Sequence, residues 1–428
     1  MRILGIGDWN DLGDMYLRLA ADHHSVRVYI AELEAHDILD GMITRIDDWR
    51  AELPWIREAG RDGLIIFETA TMGAIQDQLR QDGYQVIGGS AFGDRLECDR
   101  GFGQQVLREV GMKTIPSWSF EDSGGAEAFV RANPGRYVLK YDGGSDLICQ
   151  TFVGRATDGS DVLALLAARG GACVSRQLLM KHVDGVEVGI GAYFNGERFL
   201  APACLDWEHK KFFPKDLGEL TGEMGTLVTY GGGTALFERS LGRLAGHLRS
   251  GGYCGYINLN TIVDERGIWP LEFTSRFGYP GFAILSVLQP DGWADLLQRL
   301  VDPASSAFAT RPGYAVGVVL TVPPFPYHYG YEQLSKGTAI AFADPSPHDQ
   351  DHFHFSEVAR REGRLCCAGV IGAVMTVTGS GSDVAAARAD VYTRVDRVII
   401  PNMRYRADIG ERFLDRDRAL LRRWGLLQ

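Results

Sequence analysis

A multidomain chain mixing α/β and α+β regions is expected from three features of the sequence. It opens on alternating short apolar strands and amphipathic helices. Its middle carries longer alternating runs broken by Gly-rich turns, and a Pro/Ser/Ala-rich passage, Asp302 to Pro312, precedes a last set of strands. The length, 428 residues, exceeds what one hydrophobic core usually serves.

Taken in order, Ile3 to Ile6 alternates as a strand, the stretch near Asp14 to Asp22 as a helix, and Ser25 to Ile30 as a second strand, a parallel α/β beginning. Gly63 to Phe67 gives another strand, Met72 to Asp82 a helix, and Tyr84 to Ile87 a short strand before Gly88-Gly89; a boundary is expected near residue 97. Beyond it, Tyr137 to Tyr141, Val174 to Val183 and Val186 to Phe194 suit antiparallel strands covered on one face. Leu236 to Arg249 has a helical pattern. Gly255 to Val263 and Ile268 to Phe273 read as strands joined by Asp264-Glu-Arg-Gly267, a hairpin signal. Strands resume at Tyr314 to Val322 and Val370 to Thr378, and a helix from about Ser382 to Val398 completes a third, α/β region. No fixed-period repeat or low-complexity tract is present.

A formal net charge of −11 leaves no excess of Lys and Arg to neutralise a nucleic-acid backbone. The apolar runs end short of the roughly 20 residues a membrane span needs. The N-terminus starts at once on a strand instead of a basic and apolar leader. These features predict a cytoplasmic protein with small-molecule partners, with neither nucleic acid nor membrane as a partner. The seven cysteines are scattered, and the adjacent pair Cys366-Cys367 cannot form a CxxC motif, so buried free thiols are expected. His348, His352 and His354 lack a cysteine or acid spaced to complete a metal site and read as surface or packing residues.

The chemistry is concentrated in Leu271-Glu-Phe-Thr-Ser-Arg-Phe-Gly-Tyr-Pro280 and in Asn258-Leu-Asn260 on the partner strand. Alternation puts Glu272, Thr274 and Arg276 on one face with Asn260 across the hairpin, so oxygens of Asn260, Glu272 and Thr274 can converge on one cation. Oxygen-only donors favour Mg²⁺ over zinc. Arg276 on the same face can neutralise a phosphate that shares the metal, which predicts phosphoryl transfer. Tyr137-Val-Leu-Lys140 ends a strand in a lysine, and Asp142-Gly-Gly-Ser145 follows as a turn able to close over polyphosphate. Within Gln177 to Gly189, Met180 to Val183 can present backbone groups to an adenine edge, and Glu187 can accept from ribose hydroxyls. Asp206-Trp-Glu-His-Lys-Lys-Phe-Phe-Pro-Lys215 and Thr221-Gly-Glu-Met-Gly225 form a charged, turn-rich stretch where small residues let a substrate approach.

In this order the segments resemble glycinamide ribonucleotide synthetase, a phosphoribosylamine-glycine ligase of the ATP-grasp class. Glu272 to Gly278 is similar to its strand ending in an acid and Arg-Phe-Gly, with Thr274 where Asn is usual. His209-Lys210 resembles its Asp-His-Lys run. Leu220-Thr-Gly-Glu-Met-Gly225 resembles its Asn-Thr-Gly-Gly-Met-Gly loop, with Glu223 in place of Gly, and Asn402 to Gly410 resembles its Tyr-Arg-Asp-Ile-Gly ending. Two segments depart: Gly5-Ile-Gly-Asp-Trp-Asn-Asp-Leu-Gly13 replaces the family's Gly-Asn-Gly-Gly-Arg-Glu-His opening, and Tyr279 and Gly281 replace two acids.

The resemblance implies an N-terminal domain to about residue 97, an ATP-grasp domain over 98–310 with a lid at about 116–185, and a C-terminal domain over 311–428. It further implies that Lys140 and Arg100 reach ATP phosphates, that Met180, Lys181 and Val183 border the adenine, and that Glu187 binds the ribose. Asn260, Glu272 and Thr274 would hold Mg²⁺ or Mn²⁺, and Arg276, Lys210 and Lys140 would act at the transferred phosphoryl group. The implied reaction is ATP-dependent ligation of a carboxylate to an amine through an acyl phosphate, with glycine and phosphoribosylamine, or a related nucleotide-like amine, as the pair. Because Asn260 and Thr274 are weaker ligands than carboxylates, the alternative is an ATP-grasp protein that binds nucleotide without turnover.

Overall fold

The computed structural model describes residues 1–141, 151–169, 176–344 and 347–427. Its first layer is a parallel five-stranded sheet of β1 (Arg2–Gly7), β2 (Ser25–Ile30), β3 (Arg45–Ile46), β4 (Gly63–Phe67) and β5 (Val86–Ile87), ordered β3-β2-β1-β4-β5. The helices α1 (Gly13–Ala21), α2 (Leu53–Glu58) and α3 (Gly73–Gln81) connect these strands. Strands β1 and β4 are apolar and buried on both faces, as a helix-covered parallel sheet requires. The strand order reverses at β1 and β4, and their carboxyl ends therefore open into a crevice of the kind that receives ligands.

Helices α4 (Ala91–Cys98) and α5 (Arg100–Glu109) lead out of this layer, each begun by a side-chain cap. The Ser90 hydroxyl accepts from the Gly93 N–H at 3.2 Å, and the Asp99 carboxylate from the Phe102 N–H at 3.0 Å. Next come β6 (Ser117–Phe120), α6 (Ser123–Ala132), β7 (Tyr137–Tyr141), β8 (Phe152–Val153), α7 (Ser160–Arg169) and β9 (Gln177–Lys181). These strands form a separate sheet ordered β6-β9-β7-β8, with its own core around Val130, Leu139, Val162 and Leu179.

The largest sheet is antiparallel. It joins β10 (Val186–Asn195), β11 (Phe199–Glu208), β14 (Gly225–Thr229), β15 (Cys254–Asp264), β16 (Gly267–Thr274), β17 (Tyr314–Thr321), β19 (Phe353–Phe355) and β22 (Ala373–Gly381) in the order β16-β15-β10-β11-β14-β17-β22-β19. A two-stranded ribbon, β12 (Lys211–Phe213) with β13 (Leu217–Leu220), projects from it. A smaller sheet contains β18 (Ala339–Phe342), β20 (Val358–Arg361), β21 (Arg364–Cys367) and β23 (Val398–Ile399). The large sheet thus draws strands from both sides of position 310, and the main core runs through both.

Two elements differ from expectation. Leu236 to Arg249 is not one helix but three short pieces, Thr234–Arg239, Leu241–Leu244 and Ala245–Ser250. The chain breaks at Ser240, whose φ of −133° and ψ of −102° are non-helical and whose hydroxyl donates to the Leu236 carbonyl at 2.5 Å. The strand expected from Val370 begins only at Ala373, because the buried Glu357 carboxylate takes the N–H groups of Val370 (2.9 Å), Ile371 (3.1 Å), Gly372 (2.5 Å) and Ala373 (3.1 Å).

His354 on β19 is fully buried. It bonds the Asp14 carboxylate at 2.7 Å and the Thr378 hydroxyl at 3.0 Å, while Arg18 holds Asp14 at 2.7 Å. This chain of polar contacts ties α1 to the C-terminal strands, so the histidine serves packing. Among the described residues four cysteines (204, 254, 366 and 367) are free and buried and Cys98 is free and exposed, and no helix is long and apolar enough to cross a membrane.

Candidate active site

The site is built on the β15–β16 hairpin. Its turn is fixed by Asp264, which accepts from the N–H groups of Arg266 (2.8 Å) and Gly267 (3.1 Å) and from the Trp269 indole (3.0 Å). The register sets Asn260 opposite Glu272 and Asn258 opposite Thr274. On the other side of β15, Gly189 of β10 pairs with both Asn260 and Asp206 of β11. A side chain at 189 would have its Cβ 2.1 Å from the Asp206 carboxylate, so glycine there lets Asp206 lie across the sheet.

Cations converge on this floor. The Lys210 ammonium lies 2.9 Å from Glu208 and 3.4 Å from Glu272. Crowding desolvates the Glu272 carboxyl, but the positive charges of Lys210, Lys140 and Arg100 outweigh that and hold it below the usual carboxylate range. Its side chain is 48% exposed, which leaves it open to the cleft. Burial pushes the Lys140 ammonium down, opposed by Glu272, while Arg100 and Lys210 add to the depression and Glu187 opposes it. Burial opposes protonation of Lys210 too, yet Glu208, Glu272 and Glu187 together carry it well above the ordinary lysine value.

The structure therefore brings Arg100, Lys140, Glu187, Lys210, Asn260 and Glu272 to one place. Met180 joins them through its sulfur, 3.1 Å from the Arg100 guanidinium. Arg276 lies beyond the end of β16 rather than on the strand, yet it lines the same cavity as Thr274. Glu97 holds it there, with one oxygen 3.1 Å from Arg276 Nε and the other accepting from the Ser275 N–H at 2.6 Å. At the proposed adenine edge the Lys181 side chain is exposed and Val183 half-buried; the N–H groups of Lys181 and His182 are engaged by the Pro116 and Arg136 carbonyls. Asp142 to Ser145 lie outside the described residues. His209 does not face the cleft. It is buried, its ring accepts from the Gly410 N–H at 3.3 Å, and burial followed by Arg412 and Arg406 pushes its pKa down to about 4.

Oxygen donors suited to a hard divalent cation are present. The Asn260 Oδ1 is buried with no hydrogen-bond partner among the described residues, and the amide nitrogen donates to Glu187 (3.2 Å) and Glu208 (3.4 Å). An orphaned amide oxygen opposite a carboxylate fits Mg²⁺ or Mn²⁺. No cluster of three His, Cys, Asp or Glu residues capable of holding a metal occurs among the described residues, so amide or hydroxyl oxygens and the nucleotide itself would complete the coordination.

A cavity of about 280 Å³ continues from this floor towards the C-terminal strands, lined by Asp206, Glu208, Lys210, Glu223, Asn258 and Arg276 among others. Sequence reasoning did not select Asp206, Glu208, Asn258 or Glu97 as site residues. The first three carry a signal, acids at alternate positions of Asp206-Trp-Glu208 and amides at alternate positions of Asn258-Leu-Asn260. Glu97 carries none, because it lies 179 residues before the Arg276 it holds.

A second concentration of acid lies in the crevice at the ends of β1 and β4. Glu68 is buried there, and its pKa is raised to about 8 by burial and then by Asp11. The nearby Tyr16 hydroxyl and Leu12 and Asp11 N–H groups oppose that rise. The Asp11 carboxyl is itself raised by desolvation, with Arg276 opposing and Asp8 adding to the rise.

Residues 315–412 match the family model described as phosphoribosylglycinamide synthetase, C domain. The phosphoribosylamine–glycine ligase of Neisseria meningitidis serogroup B is 26% identical over 436 aligned positions, covering 97% of this chain and 100% of the relative. That of Pseudomonas aeruginosa is 26% identical and covers 82% of this chain and 83% of its own length. Among solved structures, the phosphoribosylamine–glycine ligase of Thermotoga maritima aligns with a TM-score of 0.71 at 18% identity, covering 96% of this chain and all of that one. A biotin carboxylase from Campylobacter jejuni aligns with a TM-score of 0.60 at 11% identity over 98% of both chains. The chain thus resembles phosphoribosylamine–glycine ligase along nearly its whole length and shares the fold of these enzymes.

Proposed function

We propose that this chain uses ATP to convert a carboxylate into an acyl phosphate and passes the acyl group to an amine, releasing phosphate and leaving an amide. Glycine and phosphoribosylamine, the pair named by its relatives, are the leading substrates. The observation that carries this reading is the convergence of Lys140, Arg100 and Lys210 on Glu272, with the orphaned Asn260 oxygen opposite and a cavity alongside.

In this reading residues 98–310 bind nucleotide under a lid at about 116–185, with 1–97 and 311–428 closing the cleft. Lys140 and Arg100 meet the phosphates, Glu187 the ribose, and Met180 and Val183 the adenine. Because the Lys181 N–H is already engaged, Lys181 would contribute through its carbonyl or its stem. Asn260, Glu272 and Thr274 would hold Mg²⁺ or Mn²⁺, which when bound offsets charge on the transferred phosphoryl group. Lys210 and Arg276 stabilise the same developing charge from the protein side, and Glu97 keeps the guanidinium aimed. The acyl phosphate hydrolyses in water, so the cleft must close before the amine attacks. We place this activity in the cytoplasm.

Hydroxylamine tests the first half-reaction without knowledge of the amine, because it traps an acyl phosphate as a hydroxamate. ADP release and hydroxamate formation that both require carboxylate and divalent metal are expected. Nucleotide binding with neither product, across a broad panel of carboxylates, would favour the non-catalytic alternative.

A further inference from the structure

We infer that residues 370–373 form an anion seat already filled by the chain's own Glu357, so that the acceptor amine of this protein carries hydroxyl groups and no phosphate. This inference rests on the ligase reading and narrows its second substrate.

Four successive N–H groups aim at one carboxylate. Oε1 of Glu357 accepts from Val370 at 2.9 Å and Ile371 at 3.1 Å, and Oε2 accepts from Ile371 at 3.1 Å, Gly372 at 2.5 Å and Ala373 at 3.1 Å. A run of backbone N–H groups turned towards one point is the geometry that holds a phosphate. Gly369 (φ 72°) and Gly372 (φ 84°) take left-handed conformations that bend the chain around the carboxylate, and a Cβ at 369 would lie 2.6 Å from the Glu357 side chain. Glu357 is 7% exposed, so an incoming anion finds these N–H groups covered and engaged.

The seat stands beside the part of the cleft left for the acceptor. Ile371 and Ala373, two of its four residues, line the cavity together with Arg276 and Tyr279. The cations assigned to ATP, Lys210, Lys140 and Arg100, converge on Glu272 instead. Burial pushes the Tyr279 hydroxyl up to about 12, with Ser356 and Thr376 opposing and the charges of Asp11 and Glu357 adding to the rise. Tyr279 therefore stands between the seat and the crevice at the ends of β1 and β4.

That crevice supplies an independent observation. Glu68 and Asn10 are buried, yet neither Glu68 oxygen and neither polar atom of the Asn10 amide has a hydrogen-bond partner among the described residues. Asp8 and Asp11 add carboxyls, and no Lys or Arg occurs between Arg2 and Arg18. Buried acceptors left open call for hydroxyl or ammonium donors, whereas a phosphate would meet like charge. With the N–H seat taken, the crevice acidic and Arg276 held by Glu97, the amine that fits is one borne on a hydroxylated carbon frame.

The test uses the full chain with ATP, Mg²⁺ and glycine and follows ADP release with matched amines, ribosylamine against phosphoribosylamine and ethanolamine against O-phosphoethanolamine. The phosphate-free member of each pair should lead by more than about tenfold in kcat/KM. Glu357→Ser vacates the seat. This variant should bind inorganic phosphate in calorimetric titrations run with a non-hydrolysable ATP analogue and Mg²⁺ in the nucleotide site, and the amine ratio should swing by about tenfold towards the phosphorylated member. Phosphate should also raise the melting temperature of the variant and leave that of the wild type unchanged. Glu357→Gln, which keeps the side-chain volume and one acceptor oxygen, should move the ratio the same way by less and serves if the serine variant does not fold. A wild-type preference for the phosphorylated amines, or phosphate binding equal in wild type and variant, would overturn the inference. Hydroxylamine separates the two failures: glycine hydroxamate leaves the ligase reading standing when the amine series alone fails, and its absence with every carboxylate overturns that reading and this inference with it.

Discussion

On the cleft floor Glu272 faces the Lys210 ammonium at 3.4 Å and the charges of Lys140 and Arg100, which hold its pKa down. At the ends of β1 and β4, Glu68 and Asp11 face each other, and both carboxyls are raised. One carboxylate is kept ionised in an exposed cleft; the other is buried and half-way to being a neutral donor. The difference shows how the same side-chain chemistry takes opposite protonation behaviour from its surroundings, and in the proposed reaction the two regions would serve the two ends of a substrate path. Paired, exposed charge suits a metal and phosphates, whereas unpaired, buried acid repels phosphate and favours hydroxyl or amine groups.

The largest test of this contrast removes the floor carboxylate. Glu272→Ala should lower kcat at saturating Mg²⁺ by about a hundredfold, or roughly 2.7 kcal/mol, with the melting temperature little changed because the side chain is half exposed. Retention of more than about a tenth of wild-type activity would remove Glu272 from the proposed metal site.

Glu68→Gln probes the other end through stability. The folded pKa of about 8 lies above the unfolded value near 4.3. The native state therefore holds this proton more tightly. The resulting stabilisation is complete below the unfolded pKa and fades as pH rises through about 8. Glutamine, neutral throughout, should flatten that fall and gain on the wild type by about 2 kcal/mol between pH 6 and 8. Parallel stability curves for the two proteins would show that Glu68 ionises normally.

Glu97→Gln sharpens the floor. It removes the charge that aims Arg276 without touching the guanidinium, so kcat should drop by about tenfold, near 1.4 kcal/mol, with KM for ATP nearly constant. A rise in KM alone would mean that Arg276 binds substrate and does not serve the transition state. Asp11→Asn should have the smallest effect. Relief of one unit charge near a phosphate is worth about 1 kcal/mol in an aqueous crevice, so kcat/KM for phosphoribosylamine should rise about fivefold relative to an unphosphorylated amine. An unchanged ratio would separate this crevice from the amine path.

Much of this site was legible because its residues sit on regular strands. The hairpin and its Asp264–Gly267 turn follow from alternation and turn chemistry, but regular pairing would set Asn260 opposite Leu271, and it is a register shift between Asn260 and Thr261 that brings it opposite Glu272. Lys140 at a strand end and Glu187 after a tight turn were visible for the same reason. The helix expected over Leu236 to Arg249 failed because periodicity is blind to a hydroxyl that competes for a backbone carbonyl, as Ser240 does. The late start of β22 has a similar cause in Glu357, a carboxylate that draws four N–H groups away from the strand.

The sequence by itself determined the parallel opening layer, the antiparallel middle and the hairpin floor, since each rests on contacts within one or two elements. Only the tertiary structure decided that Glu97 aims Arg276, that Lys210 sits between Glu208 and Glu272, and that Asp206, Glu223 and Thr226 share a cavity. Those groups come from different strands and loops, and their charges and hydrogen bonds depend on through-space distance and desolvation, which the order of residues along a chain does not encode.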